Sequence, residues 1–236
     1  MLAVDTSSPA TSVALIDGGE VLFHEREVDS RRHAELLAVM VERGLRVIGR
    51  PQVTAVACGV GPGAYTGLRV GVSSAQAYAL GWQVTAYGAC SLDAMALAAA
   101  RPSDGPFACA IDARRKEVYW AHYDEHGERL GGPFVSKPSE IQPEVRALPW
   151  FGEIAQAHAD VLNRADSGHV DYPDARDVGL FVLQHLARGE QMHGSHIDLA
   201  VHGQDSGATA AALAGQSLLA PLPLYVRRPD AVEATR

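Results

Sequence analysis

Residues 59–71 read GVGPGAYTGLRVG, five glycines and a proline between an apolar run and a helix-like stretch. Glycine-rich strand-to-helix turns often cradle a phosphate on backbone N–H groups. The nucleotide motifs do not fit here. A Walker A loop requires G-x-x-x-x-G-K-[ST], and 59–71 contains no lysine. A dinucleotide fingerprint requires G-x-G-x-x-G; Gly59 and Gly61 fit, but Ala64 takes the third position and no acidic residue follows about twenty positions on. What remains is a tight turn, with Pro62 fixing φ and the glycines admitting close backbone approach. On the helix it launches, Gly67, Gly71, Ser74, Ala75 and Tyr78 lie within about 100° of one another. Small residues on one stripe let a second helix come close.

The flanks place this turn in an α/β unit. Residues 2–4 read as a strand ending at Asp5, followed by the turn-forming DTSSPATS. Residues 12–16 and 21–28 read as two further strands joined at Asp17-Gly18-Gly19. Residues 33–48, HAELLAVMVERGLRVI, read as a helix. Leu36, Leu37, Met40, Val41, Leu45, Val47 and Ile48 cover about 180° of it, whereas packing on one sheet needs a stripe of about 100°. The surplus predicts a second surface. Then come a strand over 53–58, a helix over 66–80 expected to be buried nearly all round because Arg69 is its only charge, and a strand over 84–87. Ser91 is the expected N-cap of a helix over 92–100.

RPSDGP at 101–106 is the clearest boundary, dividing the chain into lobes 1–103 and 106–236, with the tail free to return to the first. Beyond it the pattern repeats at a spacing of about one hundred residues. A strand over 107–111 ends at Asp112, a polar loop follows, and EVYWAHY and DEHG supply a strand and a turn. Residues 137–220 carry little signal, and 203–217 are Ala/Gly-biased.

Composition narrows the chemistry. The net charge of −8 over 236 residues disfavours nucleic-acid binding by the chain alone, despite short basic clusters at Arg31-Arg32, Arg114-Arg115-Lys116 and Arg227-Arg228. Cys58, Cys90 and Cys109 give no disulfide framework. His122 and His126 have H-x-x-x-H spacing but run from a strand into a turn, and His193 and His196 read as loop, so no metal is expected. No G-x-S-x-G elbow or Cys–His context supports a protease. No leader or long apolar run precedes the first strand, so a cytoplasmic location is expected and no membrane partner.

Asp5 and Asp112 occupy the places where actin-like (ASKHA, ribonuclease H-like) proteins open their phosphate-binding hairpins. Active loops of that kind need glycines, and DARRKE puts Ala113, Arg114 and Arg115 there. Asp5 can equally be a turn-forming residue. AVDTSSPATSVAL, GVGPGAYTGLRVG, IDARRKEVYWAHY and PLYVRRPDA together resemble the four signature stretches of the TsaB (formerly YeaZ) family of tRNA threonylcarbamoyladenosine biosynthesis. The resemblance implies two actin-like lobes, each a mixed sheet flanked by helices, with no catalytic residue, metal or cofactor of their own. It implies a TsaD-type catalytic partner that transfers threonylcarbamoyl to an adenosine next to the anticodon, a TsaE-type ATPase, and tRNA met only through the complex. A homodimer stays open, as do an active ATP-dependent kinase or ATPase and a protease. The expected partner interface comprises His33, Leu36, Leu37 and Met40 on the first helix. The second helix is expected to add Gly67, Leu68, Arg69, Gly71, Ser74, Ala75 and Tyr78. Asp5, Thr6, Ser7, Asp112 and Arg114 are expected to be vestiges of the phosphate loops.

Overall fold

The computed structural model describes residues 1–100, 103–165, 170–192 and 217–226. His193, His196, Arg227-Arg228 and nearly all of the 203–217 stretch lie outside the described residues. β1 (Leu2–Asp5), β2 (Ala10–Asp17) and β3 (Glu20–Val28) form an antiparallel meander. Gly18 and Gly19 turn its second corner with φ of 53° and 91°, the positive pair a two-residue hairpin turn requires. After α1 (His33–Val47), β4 (Ala55–Gly59) pairs parallel with β1; after α2 (Tyr65–Trp82), β5 (Thr85–Ala89) pairs parallel with β4. The order is β3-β2-β1-β4-β5.

Period-2 alternation assigns the faces of this sheet. Leu2, Val4, Val13, Leu15, Val56 and Cys58 are buried with α1 and α2 on one side. Ala3, Ala14, Ile16, Ala57 and Ala89 are buried on the other side with α6 (Ala175–Ala187). Alanines there let α6 come close, and a Cβ on its Gly179 would stand 2.9 Å from that of Ala3.

The second sheet repeats the first. After α3 (Ser91–Ala99), the strands β6 (Phe107–Asp112), β7 (Val118–Tyr123) and β8 (Arg129–Ser136) form a meander. Then α4 (Pro143–Arg146) leads to β9 (Trp150–Phe151), parallel to β6, and to α5 (Glu153–Ala157). The order β8-β7-β6-β9 copies β3-β2-β1-β4, so the weak repeat in the sequence is a repeat of topology. The copy is reduced: α4 has 4 residues where α1 has 15. Asp93 of α3 ties the lobes by accepting a hydrogen bond from Tyr123 Oη at 3.0 Å and pairing with Arg129 at 3.7 Å.

Three expectations change. Helix α6 does not stay in the second lobe, where only the tail was expected to be free to return to the first. The α6 helix packs on β1, β2, β4 and β5, and Leu219 bridges Gly88 of β5 through paired backbone bonds of 2.7 and 2.8 Å. Ser91 does not cap α3; it is the first helical residue, and its hydroxyl points to Asp5. The α2 helix is not buried all round, because Arg69, Ser73, Gln76, Ala77 and Leu80 form an exposed flank.

Candidate functional site

The glycine loop closes on the Asp5 turn of its own chain. The Asp5 carboxylate is buried at the end of β1. Its Oδ1 accepts bonds from the Ser7 N–H and hydroxyl, both 2.8 Å, and its Oδ2 accepts one from Ser91 Oγ at 2.8 Å. Burial pushes its pKa above the usual carboxylate range, and the Ser7 and Ser91 donors offset part of that rise. Ser91 in turn accepts the Gly61 N–H and donates its own N–H to the Gly61 carbonyl. Gly59 passes so close that a Cβ there would overlap Asp5 Oδ2, and a Cβ at Gly63 would overlap the Ser7 carbonyl oxygen. Gly61, at φ +100°, makes the bend.

Thr6 explains the remaining two glycines. Its hydroxyl donates to the Gly67 carbonyl at 2.7 Å and accepts the Gly71 N–H at 2.9 Å, spanning one turn of α2. A Cβ on Gly71 would overlap that hydroxyl, and one on Gly67 would stand 2.8 Å from the Thr6 carbonyl oxygen. Thr6, Ser7 and Ser8 are buried, so the loop expected to be a phosphate-loop vestige is occupied by its own glycine segment.

This geometry corrects the expected interface. Leu36, Leu37, Met40, Leu68 and Ala75 are buried in the core of this chain, and Gly71 lies against Thr6. His33 is buried beside Gly67, with Nδ1 2.7 Å from Thr11 Oγ1. In this chain the His33, Leu36, Leu37, Met40, Leu68 and Ala75 side chains are each 8% exposed or less. Of the expected residues, Arg69 is exposed and Ser74 and Tyr78 are half-buried. The surplus apolar width survives elsewhere: Val39 is 55%, Val47 68% and Leu80 81% exposed. A groove of about 270 Å³ opens among Leu45, Arg50, Pro51, Gln52, Val53 and Trp82. Sequence reasoning missed Tyr65 and Tyr225, whose rings stack at 5.2 Å beside Arg69, although PLYVRRPDA had marked the tail.

The second loop keeps its aspartate in a different setting. The Arg114 N–H donates to Asp112 Oδ1 at 2.7 Å, and the Arg114 guanidinium pairs with Oδ2 at 3.2 Å. Arg114, Arg115 and Lys116 all sit at positive φ, between 55° and 63°. Glycine adopts that conformation freely, and other residues at a cost of about 1–2 kcal/mol each. The loop thus retains a glycine-type backbone while carrying exposed basic side chains.

Thiol and metal chemistry find little footing. Cys58 and Cys90 are buried and their thiols pushed up to about 12 by burial, while Cys109 also moves up. A nucleophilic thiol requires the opposite shift. Among the described residues, no three His, Cys, Asp or Glu side chains gather as metal ligands. His122 packs on Trp120 in β7, whereas His126 lies at the surface of the turn, with its N–H on Asp124. No helix among the described residues is long and apolar enough to cross a membrane.

Comparison with known proteins adds the family context. The family model described as TsaD, tRNA N6-adenosine threonylcarbamoyltransferase, matches residues 25–165. The tRNA threonylcarbamoyladenosine biosynthesis protein TsaB of Escherichia coli is 34% identical over 215 residues, 84% of this chain and 92% of that protein. An uncharacterized protein of Mycobacterium leprae is 36% identical over 149 residues; the match covers 61% of this chain but spans only 40% of that protein. Among solved structures, YeaZ from Pseudomonas aeruginosa superposes with a TM-score of 0.66 at 32% identity, over 80% of this chain and 92% of that one. With the two repeated mixed sheets, these matches establish the actin-like, two-lobed class expected from the sequence.

Proposed function

The chain belongs to the TsaB (YeaZ) family, and from that premise we propose that it is a non-catalytic, partner-binding subunit of the machinery that makes tRNA threonylcarbamoyladenosine. The observation that carries the non-catalytic part is the closed Asp5 loop. In an actin-like ATPase the first hairpin presents free N–H and hydroxyl groups to phosphate. Here Thr6 and Ser7 spend theirs on Asp5 and α2, and the glycines press the loop shut. Arg114 neutralises the other loop's aspartate.

The partner is a TsaD-type subunit, and the contact surface is the outward flank of α1 and α2. Exposed Val39, Val47 and Leu80 supply an apolar centre, which a solitary chain would leave in water. The same residues are open to a second copy of this chain. A TsaE-type ATPase joins the complex, tRNA is met through the joint surface, and the chain works in the cytoplasm without a metal or cofactor of its own. Mixing with the TsaD-type protein of the same organism, followed by size-exclusion chromatography, is expected to give a co-eluting complex. Leu80→Glu should abolish co-elution while the monomer melts as before. ATP hydrolysis by the chain alone that vanished with Asp112→Ala, without any complex, would overturn this reading in favour of an active ATPase.

A further inference from the structure

Arg69 stands on the exposed flank of α2, and its surroundings differ from those of the other arginines nearby. Arg43 and Arg46 of α1 pair with Glu25 and Glu42. Arg69 has no acidic partner among the described residues and is held by two tyrosines instead. Its Nε donates to Tyr225 Oη at 2.7 Å, and its guanidinium carbon lies 4.0 Å from the centre of the Tyr65 ring and 5.8 Å from that of Tyr225. Tyr225 is held in place by the tail, where the Leu224 N–H donates to the Val60 carbonyl at 2.7 Å and Gln76 Nε2 donates to the Pro221 carbonyl at 2.7 Å.

A surface arginine ordinarily loses rotamer freedom when it engages a ligand. Here stacking and the Tyr225 bond have fixed the side chain already. The remaining guanidinium N–H groups form a planar fork suited to a carboxylate. Aromatic residues and arginine are also the residue types that anchor protein interfaces, with apolar neighbours excluding water around them.

We infer that Arg69, clamped by Tyr65 and Tyr225, is the anchor by which this chain binds a carboxylate of its protein partner, so that the C-terminal segment forms part of the docking surface. The inference rests on the partner-binding function proposed above. Charge complementarity favours an acidic protein side chain over nucleic acid. Arg69 is an uncompensated cation among the described residues, whereas the arginines around α1 are largely neutralised from within: Arg32 by Glu27 and Glu35, Arg43 by Glu25, Arg46 and Arg50 by Glu42. A nucleic-acid track needs several uncompensated cations in a row. A rigid arginine set between the Tyr65 and Tyr225 rings fits a single carboxylate within a partly apolar contact.

Calorimetric titration of the full chain into the TsaD-type subunit tests this, with variants Arg69→Ala, Arg69→Lys and Tyr225→Phe. Arg69→Ala is expected to weaken binding by about thirtyfold or more. Arg69→Lys should lose nearly as much, because lysine has neither the fork nor the flat stacking face. Tyr225→Phe keeps the ring and loses the clamp's hydroxyl, for a loss of about three- to tenfold. Salt should weaken the wild type more than Arg69→Ala, and all variants should unfold at the wild-type temperature. Wild-type binding with indifferent Arg69 variants overturns the anchor and leaves the functional reading standing. Variants that bind the subunit normally but abolish tRNA binding by the complex overturn it in favour of a nucleic-acid contact. A wild-type chain that does not bind the subunit overturns the functional reading and the anchor with it.

Discussion

Gly63→Ala is expected to destabilise the protein by about 3 kcal/mol or more, the upper part of the range for overpacking. For a chain of this length that lowers the unfolding midpoint by about 6–12 °C. The new methyl group would enter the space of the Ser7 carbonyl, which is backbone and cannot rotate aside. Moving it would pull on Asp5 through the Ser7 bonds and on Ala64, whose N–H donates to that same carbonyl at 3.2 Å. Gly71→Leu should behave in the same way, through the Thr6 hydroxyl, and so reports on folding rather than on partner contact. Gly81→Ala is the control, because nothing lies within 4 Å of a Cβ there. In a helix that change typically stabilises by about 0.5–1 kcal/mol. Thermal unfolding of the three variants decides the matter. A Gly63→Ala chain that melted with the wild type would mean that the loop does not close on Asp5 as described.

Asp5→Ala should cost a comparable amount, while Asp5→Asn should be far milder. Alanine leaves the Ser7 N–H, the Ser7 hydroxyl and the Ser91 hydroxyl without their buried acceptor. Each such orphan costs about 1–3 kcal/mol. Asparagine keeps an oxygen for Ser7 and removes a carboxylate whose ionisation burial penalises. The sign with pH follows from the raised pKa of Asp5. The folded state holds the proton more tightly than the unfolded chain, whose value is near 3.8. The aspartate's contribution to stability is therefore fully present below that value and fades as pH rises through the folded pKa. Urea unfolding at acidic and neutral pH should show wild type gaining on Asp5→Asn as pH falls. The opposite trend would mean that the hydrogen-bond donors outweigh burial.

The first lobe was legible in the sequence because its signals are local. Alternating strands, the Gly18-Gly19 turn and the α1 periodicity each declare themselves within a short window. The second lobe was legible only as an echo, since α4 and β9 are too short for any period to show. The α6 helix was missed inside an apparently featureless stretch, although Asp174 is an N-cap whose carboxylate accepts the Arg176 N–H at 2.9 Å. Apolar Val178, Phe181 and Val182 follow at helical spacing. The small-residue stripe on α2 is ambiguous for a different reason. A stripe of small residues on a helix has the same appearance whether the close neighbour is another subunit or the chain's own Thr6, sixty-one residues away from Gly67. Periodicity reveals that something comes close and cannot say what. Ser91 was likewise read as a cap, because the acceptor for its hydroxyl lies 86 residues back at Asp5.

The most direct test of the account is reconstitution of the modification. The TsaD-type subunit, the TsaE-type ATPase, threonylcarbamoyl-adenylate and unmodified tRNA would be combined with and without this chain, and the nucleoside quantified by mass spectrometry. The account predicts that threonylcarbamoyladenosine forms only when the chain is present. It also predicts that Asp112→Ala supports the reaction as the wild type does, whereas Leu80→Glu does not. Modification at full rate without the chain, or its loss with Asp112→Ala while the complex still assembles, would contradict the claim that this protein acts as a binding subunit and not as a catalyst.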